Sequence, residues 1–217
     1  MHLMSAIVAA FYLCAGGAQP PRPSETLAAV HVHLRIDRSI TSRPLEALAK
    51  SEATAIWREY GVDLQWGDQG LEPALCLDAF VEGRRPQQTV AIGHTPLVLA
   101  HTMIAPDTIV RAPIRVSFEA MEALLDAHHF SSLIERDRGV AIALGRVLSH
   151  EVGHVLLGSP GYHDPEGLMK ARFMADDLVR LERSRFRLAD RSIVRLRERI
   201  AALSEGEPSR SCTIPTE

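Results

Sequence analysis

His150-Glu151-Val152-Gly153-His154 places two imidazoles and a carboxylate at a spacing that suits a divalent metal. Residues four apart on an α-helix stack one turn above each other, so His150 and His154 can face one ion. Glu151 sits one position round the helix, close enough to exchange a proton with an activated water without being a ligand itself. A reactive zinc site takes three protein ligands and keeps one position open. The third candidate is His163, nine residues after His154, beyond the turn Gly158-Ser159-Pro160-Gly161. Asp164, its neighbour, is a possible substitute. Three neutral imidazoles leave Zn2+ its full charge, which lowers the pKa of a bound water toward ~7.

The elements that must hold these groups follow from periodicity. A helix beginning near Asp137 carries Val140, Leu144, Val147, Leu148 and Val155 on one broad apolar face and stops at Gly158, so the histidines occupy its last turns. Earlier in the chain, residues 30–37 alternate as a strand with Val30, Val32, Leu34 and Ile36 inward, which puts His31 and His33 on the solvent side. Residues 43–60 show helical spacing with Ser42 as cap and Gly61 as stop, and 62–66 read as a second strand. Strand, helix, strand implies a sheet with a helix packed across it. Residues 74–81, 89–92 and 97–104 have strand character, and an edge strand in this region would suit an extended peptide added alongside it. Ser117 is placed to cap a short helix over 118–125, and two helices are expected over 171–182 and 187–203. The expected class is α+β, a twisted mixed sheet with a long helix across it.

Composition narrows the partners. A chain of 217 residues with 46% hydrophobic residues and a net charge of −3 has the make-up of one globular domain and no bias toward nucleic acid. The arginines between Arg180 and Arg199 alternate with Glu182, Asp190 and Glu198, the pattern of a solvated face laced with local salt bridges. Residues 1–18 read as a signal peptide, which implies export to the periplasm or beyond and leaves no stable membrane span. A Pro-rich linker over 19–28, a domain over 29–204 and a polar tail over 205–217 complete the organisation. Cys76 and Cys212 lack metal-ligand spacing; after leader removal they form one disulfide or remain two thiols. His94 and His101 have no partner spacing, and surface or structural roles are expected for them.

The pattern His150-Glu151-x-x-His154, a glycine turn, a further histidine and Pro165-Glu166-Gly167-Leu168-Met169 resembles the metzincin clan of zinc metallopeptidases. The matrixin-type ending P-E-x-L-M is the closest part of the likeness, and small exported bacterial zincin-like proteins are similar. The resemblance implies a zinc ion held by His150, His154 and His163, Glu151 as general base, Met169 in a tight turn beneath the ligands, and a peptide or protein substrate. In that clan the glycine would fall at Leu157 and the third histidine at Pro160; here the loop is longer. Two further readings stand beside it. One is a gluzincin-like peptidase with an acidic third ligand, Asp176, Asp177 or Glu182; the other is a zinc-stabilised binding protein without turnover.

Overall fold

The computed structural model describes residues 28–37, 41–67, 75–83, 98–102 and 112–205. The leader, most of the linker, strand 89–92, His94 and nearly all of the tail lie outside the described residues.

Local signals act first. In α1 (Arg43–Arg58) the Ser42 side chain accepts from the Leu45 amide, Pro44 sits in the opening turn, and Ala49, Ala53, Ile56 and Trp57 line the buried side. Gly61, at φ +76°, then reverses the chain into β2 (Val62–Trp66). That strand lies parallel to β1 (Ala28–Ile36), giving the expected strand-helix-strand opening. The sheet is completed by β3 (Leu75–Glu82), β4 (Ala100–Thr102) and β5 (Ala112–Ser117), in the order β2-β1-β3-β5-β4. All neighbours are parallel except β4, which runs antiparallel to β5 at the edge. The molecule is therefore a mixed α/β structure with a mostly parallel five-stranded sheet.

One sheet face is apolar through aligned register: Val30 pairs with Leu75, Val32 with Leu77, and Ala79 with Ile114. The other face is not the wet surface expected for His31 and His33, which are only 6% and 8% exposed. β1 is an interior strand, and the His31 ring contacts the Gln65 amide oxygen at 2.5 Å on the neighbouring strand. β5 escapes periodicity because Pro113 and Arg115 interrupt an apolar run in which only Ile114 and Val116 face the core. β4 is shorter than residues 97–104 suggest. Cys76 is buried and disulfide-bonded, its partner lying outside the described residues.

The Ser117 cap and α2 (Phe118–Leu125) fall as expected. The long helix α3 (Leu133–Leu156) begins four residues earlier than Asp137, because Ser132 accepts from the Glu135 amide while Glu135 reaches back to Ser131. The helix expected over 171–182 contracts to α4 (Ala175–Val179), followed by a 3-10 turn at Arg183–Arg185. A tertiary contact stops it: the Arg146 guanidinium donates to the Asp177 and Leu178 carbonyls at 2.9 and 3.1 Å. These carbonyls end the helix on a buried cation instead of on further amides. The last helix, α5 (Asp190–Glu205), starts three residues later than expected. Among the described residues no helix is long and apolar enough to cross a membrane.

Candidate metal centre

α3 is buried along its whole second half, so His150, Glu151 and His154 are only 7%, 4% and 4% exposed. Burial at that depth is costly for polar groups unless each atom has a partner. The imidazoles satisfy the rule on one side only. His150 Nδ1 lies 2.8 Å from the Leu168 carbonyl and His154 Nδ1 lies 3.0 Å from the Ser159 carbonyl. A carbonyl oxygen only accepts, so both Nδ1 atoms carry hydrogen and both Nε2 atoms present lone pairs. Those Nε2 atoms sit 3.0 Å apart. Two facing lone pairs repel, and a cation between them turns the repulsion into attraction. Two nitrogens at a tetrahedral zinc ion lie about 3.3 Å apart, given ~2.05 Å bonds.

The loop after α3 brings up the third ring. Leu157 ends the helix, Gly158 takes φ +67°, and the Ser159 amide donates back to the His154 carbonyl at 3.0 Å. His163 then lies with its ring centroid 5.6 Å from that of His150 and 5.0 Å from that of His154. One ligand atom from each of the three falls within 4.8 Å of the others, close enough to hold a metal ion. The donor set fits zinc: three imidazoles, two of them with their tautomer set by carbonyls. Burial pushes the His150 pKa down to about 4, with the His154 and His163 charges adding to it. Burial and His163 lower His154 too, so both rings stay neutral at pH 7, as ligands must.

Beneath the rings, residues 165–169 form a turn. Gly167 sits at φ +83°, and a Cβ there would meet the Arg187 carbonyl at 2.2 Å, while the Leu168 amide donates to that carbonyl at 2.9 Å. Met169 is fully buried and packs where Gly153 lacks a side chain; a Cβ on Gly153 would lie 2.4 Å from its sulfur. The small residue between the two helical histidines is thus what admits the methionine below them.

Glu151 faces the edge of the sheet. The Thr102 hydroxyl on β4 donates to its Oε2 at 2.5 Å. Burial pushes the Glu151 pKa up to about 7, against the opposing pull of that hydrogen bond. The three rings and Glu151 open onto a cavity of about 680 Å3 whose walls include Leu99, Leu124, Val147, Phe173 and Met174. His101, exposed on β4, stands at the same cavity.

Not every expected candidate comes to the site. The Asp164 carboxylate points away from the rings, to Arg191 Nε and Ser192 Oγ, each at 2.5 Å, so it does not substitute for His163. Asp176 is engaged by His128 and Arg180, and Asp177 by Lys170 and the Met174 amide. Glu182 is exposed, and none of the three acids belongs to the ligand cluster. Thr102, Arg191 and Ser192 carry no sequence signal that points to the site. Thr102 lies 49 residues from Glu151, and Arg191 and Ser192 lie 27 and 28 residues from Asp164, in an arginine-rich helix.

Comparison with known proteins finds no family model that matches the chain and no curated protein similar to it.

Proposed function

We propose that the chain is a zinc-dependent metallopeptidase of metzincin-like type. The observation that carries this reading is the convergence of the His150, His154 and His163 ligand atoms within 4.8 Å beside the buried carboxylate of Glu151. The mixed sheet agrees with the expected α+β class, and the ligand-bearing helix with Met169 packed under Gly153 supports the reading. When bound, Zn2+ supplies a Lewis acid that makes hydroxide accessible at neutral pH and polarises the scissile carbonyl. Glu151 is the general base: it takes the proton from water and returns it to the leaving nitrogen. Thr102 holds one carboxylate oxygen and so fixes the direction of the other. The apolar cavity walls exclude water and take a side chain, and β4 at the sheet edge is the strand an extended peptide joins. The disulfide at Cys76 supports maturation in an oxidising compartment, in keeping with export.

A zinc-stabilised binding protein is the second reading, favoured by the tyrosines. No tyrosine follows Met169. The Tyr162 hydroxyl is paired with Ser192 Oγ at 3.1 Å, the Tyr60 hydroxyl accepts from the Leu188 amide at 2.8 Å, and neither residue lines the cavity where an oxyanion would form. Replacement of Glu151 by alanine separates the two. The peptidase reading expects peptide hydrolysis to fall by about 10²–10⁴-fold with one equivalent of zinc retained. A wild-type protein that binds zinc but cleaves nothing in a broad peptide library supports the binding reading instead.

A further inference from the structure

The first two ligands and the third are held by different means. His150 and His154 ride on a rigid helix, and each has its Nδ1 fixed by a carbonyl. His163 is exposed, and no hydrogen bond to its ring is found among the described residues. It stands in a loop longer than a tight glycine turn would need. A ligand without a ring partner requires its backbone to be placed from elsewhere.

α5 supplies that placement. Arg191 donates to the Asp164 carboxylate through Nε at 2.5 Å and to the His163 carbonyl through Nη2 at 3.1 Å. Ser192 adds a second hydrogen bond to the same carboxylate, and the Asp164 amide donates to the Met169 carbonyl at 2.8 Å. One turn on, Arg195 Nε donates to the Leu157 carbonyl at 2.7 Å, at the start of the loop. Arg199, a further turn along, lies against Gly158. Residues 191, 195 and 199 share one face of a helix, and from that face Arg191 and Arg195 hydrogen-bond the two ends of the ligand loop. The Asp164 side chain is 1% exposed, and its charge at that depth needs these donors.

We propose that Asp164, with Arg191 and Ser192, is a positioning unit for the third metal ligand, and that α5 works as the clamp that keeps His163 in reach of His150 and His154. The inference rests on the three-histidine metal reading but not on catalysis.

The test uses the full chain and its Asp164→Asn, Arg191→Ala, Arg191→Lys and Arg197→Ala variants. Zn2+ affinity is measured by chelator competition, coordination by the visible spectrum of the Co2+ form, and metal-free melting in parallel. Asp164→Asn keeps the shape of the side chain and is expected to fold. It and Arg191→Ala should each lose about 10–100-fold in Zn2+ affinity, the range for partners that orient a ligand, and alter the Co2+ spectrum. Arg191→Lys, which keeps the charge but loses the fork spanning two acceptors, should recover only part of the affinity. Arg197→Ala, exposed on the same helix, should match wild type. Wild-type affinity and spectrum in Asp164→Asn and Arg191→Ala, with only melting lowered, would overturn the positioning role. A wild-type chain that takes up no Zn2+ overturns the metal reading and the clamp together.

Discussion

Two buried polar groups on α3 sit one turn apart and are built in opposite ways. Arg146 is fully buried; its guanidinium meets the Glu52 carboxylate at 3.1 Å, two carbonyls, and the face of Phe186 at 4.6 Å. Glu52 receives Arg183 as well, at 2.9 Å. Charge is thus answered by charge, and of the Arg146 guanidinium nitrogens only Nη2 lacks a hydrogen-bond partner among the described residues. At His150 and His154 the partners stop halfway: Nδ1 is answered by carbonyls, and Nε2 is aimed at another acceptor. The first arrangement joins α1, α3 and α4. The second leaves lone pairs converging beside a cavity, which suits a cation and contributes nothing to stability without one. The same helix face carries both, and the direction of the unpaired atoms tells them apart.

Removing Arg146 should have the largest effect. Arg146→Ala leaves the Glu52 carboxylate with only the partly exposed Arg183, and a cost of about 3–5 kcal/mol is expected in urea unfolding. Arg146→Met with Glu52→Leu should recover most of it, since an apolar pair of similar volume removes both desolvation terms. His154→Ala is the counterpart: zinc binding is lost, while the metal-free protein unfolds within about 1 kcal/mol of wild type, because a repulsive contact goes with the ring. Equal losses of stability in the two alanine variants would erase the distinction.

A pH series on the metal-free protein sharpens it further. His150, lowered in the fold, makes the unfolded chain bind more protons between about pH 4 and 6.5, so its contribution falls as pH falls through that window. Glu151, raised in the fold, contributes stability that is complete below about pH 4.5 and is lost as pH rises through about 7. The two slopes oppose each other in wild type. Glu151→Gln removes one, so metal-free stability should then rise by on the order of 2 kcal/mol from pH 4.5 to 6.5, read from denaturation midpoints. A similarly small change in metal-free stability is expected from Gly153→Ala. Overpacking against Met169 costs ~1–3 kcal/mol and gained helix propensity returns ~1, for a net loss of about 1 kcal/mol in melting of the metal-free form.

Legibility in the sequence followed the range of the interactions. α1 and α2 were readable because Ser42 and Ser117 cap them within three residues of their own position. The start of α3 is equally local, with Ser132 accepting from the Glu135 amide and the Glu135 carboxylate accepting from Ser131, although apolar periodicity begins only near Asp137. α4 was overestimated because its stop comes from Arg146, some thirty residues away. The burial of His31 and His33 on β1 is not legible, because alternation reports which residues share a face and not what covers it.

At the centre itself, sequence alone determined that His150 and His154 share a helix face with Glu151 beside them, since a period of 3.6 residues leaves no other arrangement. The resemblance implied a tight turn at Met169, and the backbone turns there, with Gly167 at φ +83°. Only the tertiary structure brought the His163 ring, and not the Asp164 carboxylate, up to His150 and His154, brought Thr102 to Glu151, and set the arginines of α5 against the loop. Those outcomes depend on hydrogen bonds and ion pairs between segments dozens of residues apart, whose directions no local pattern encodes.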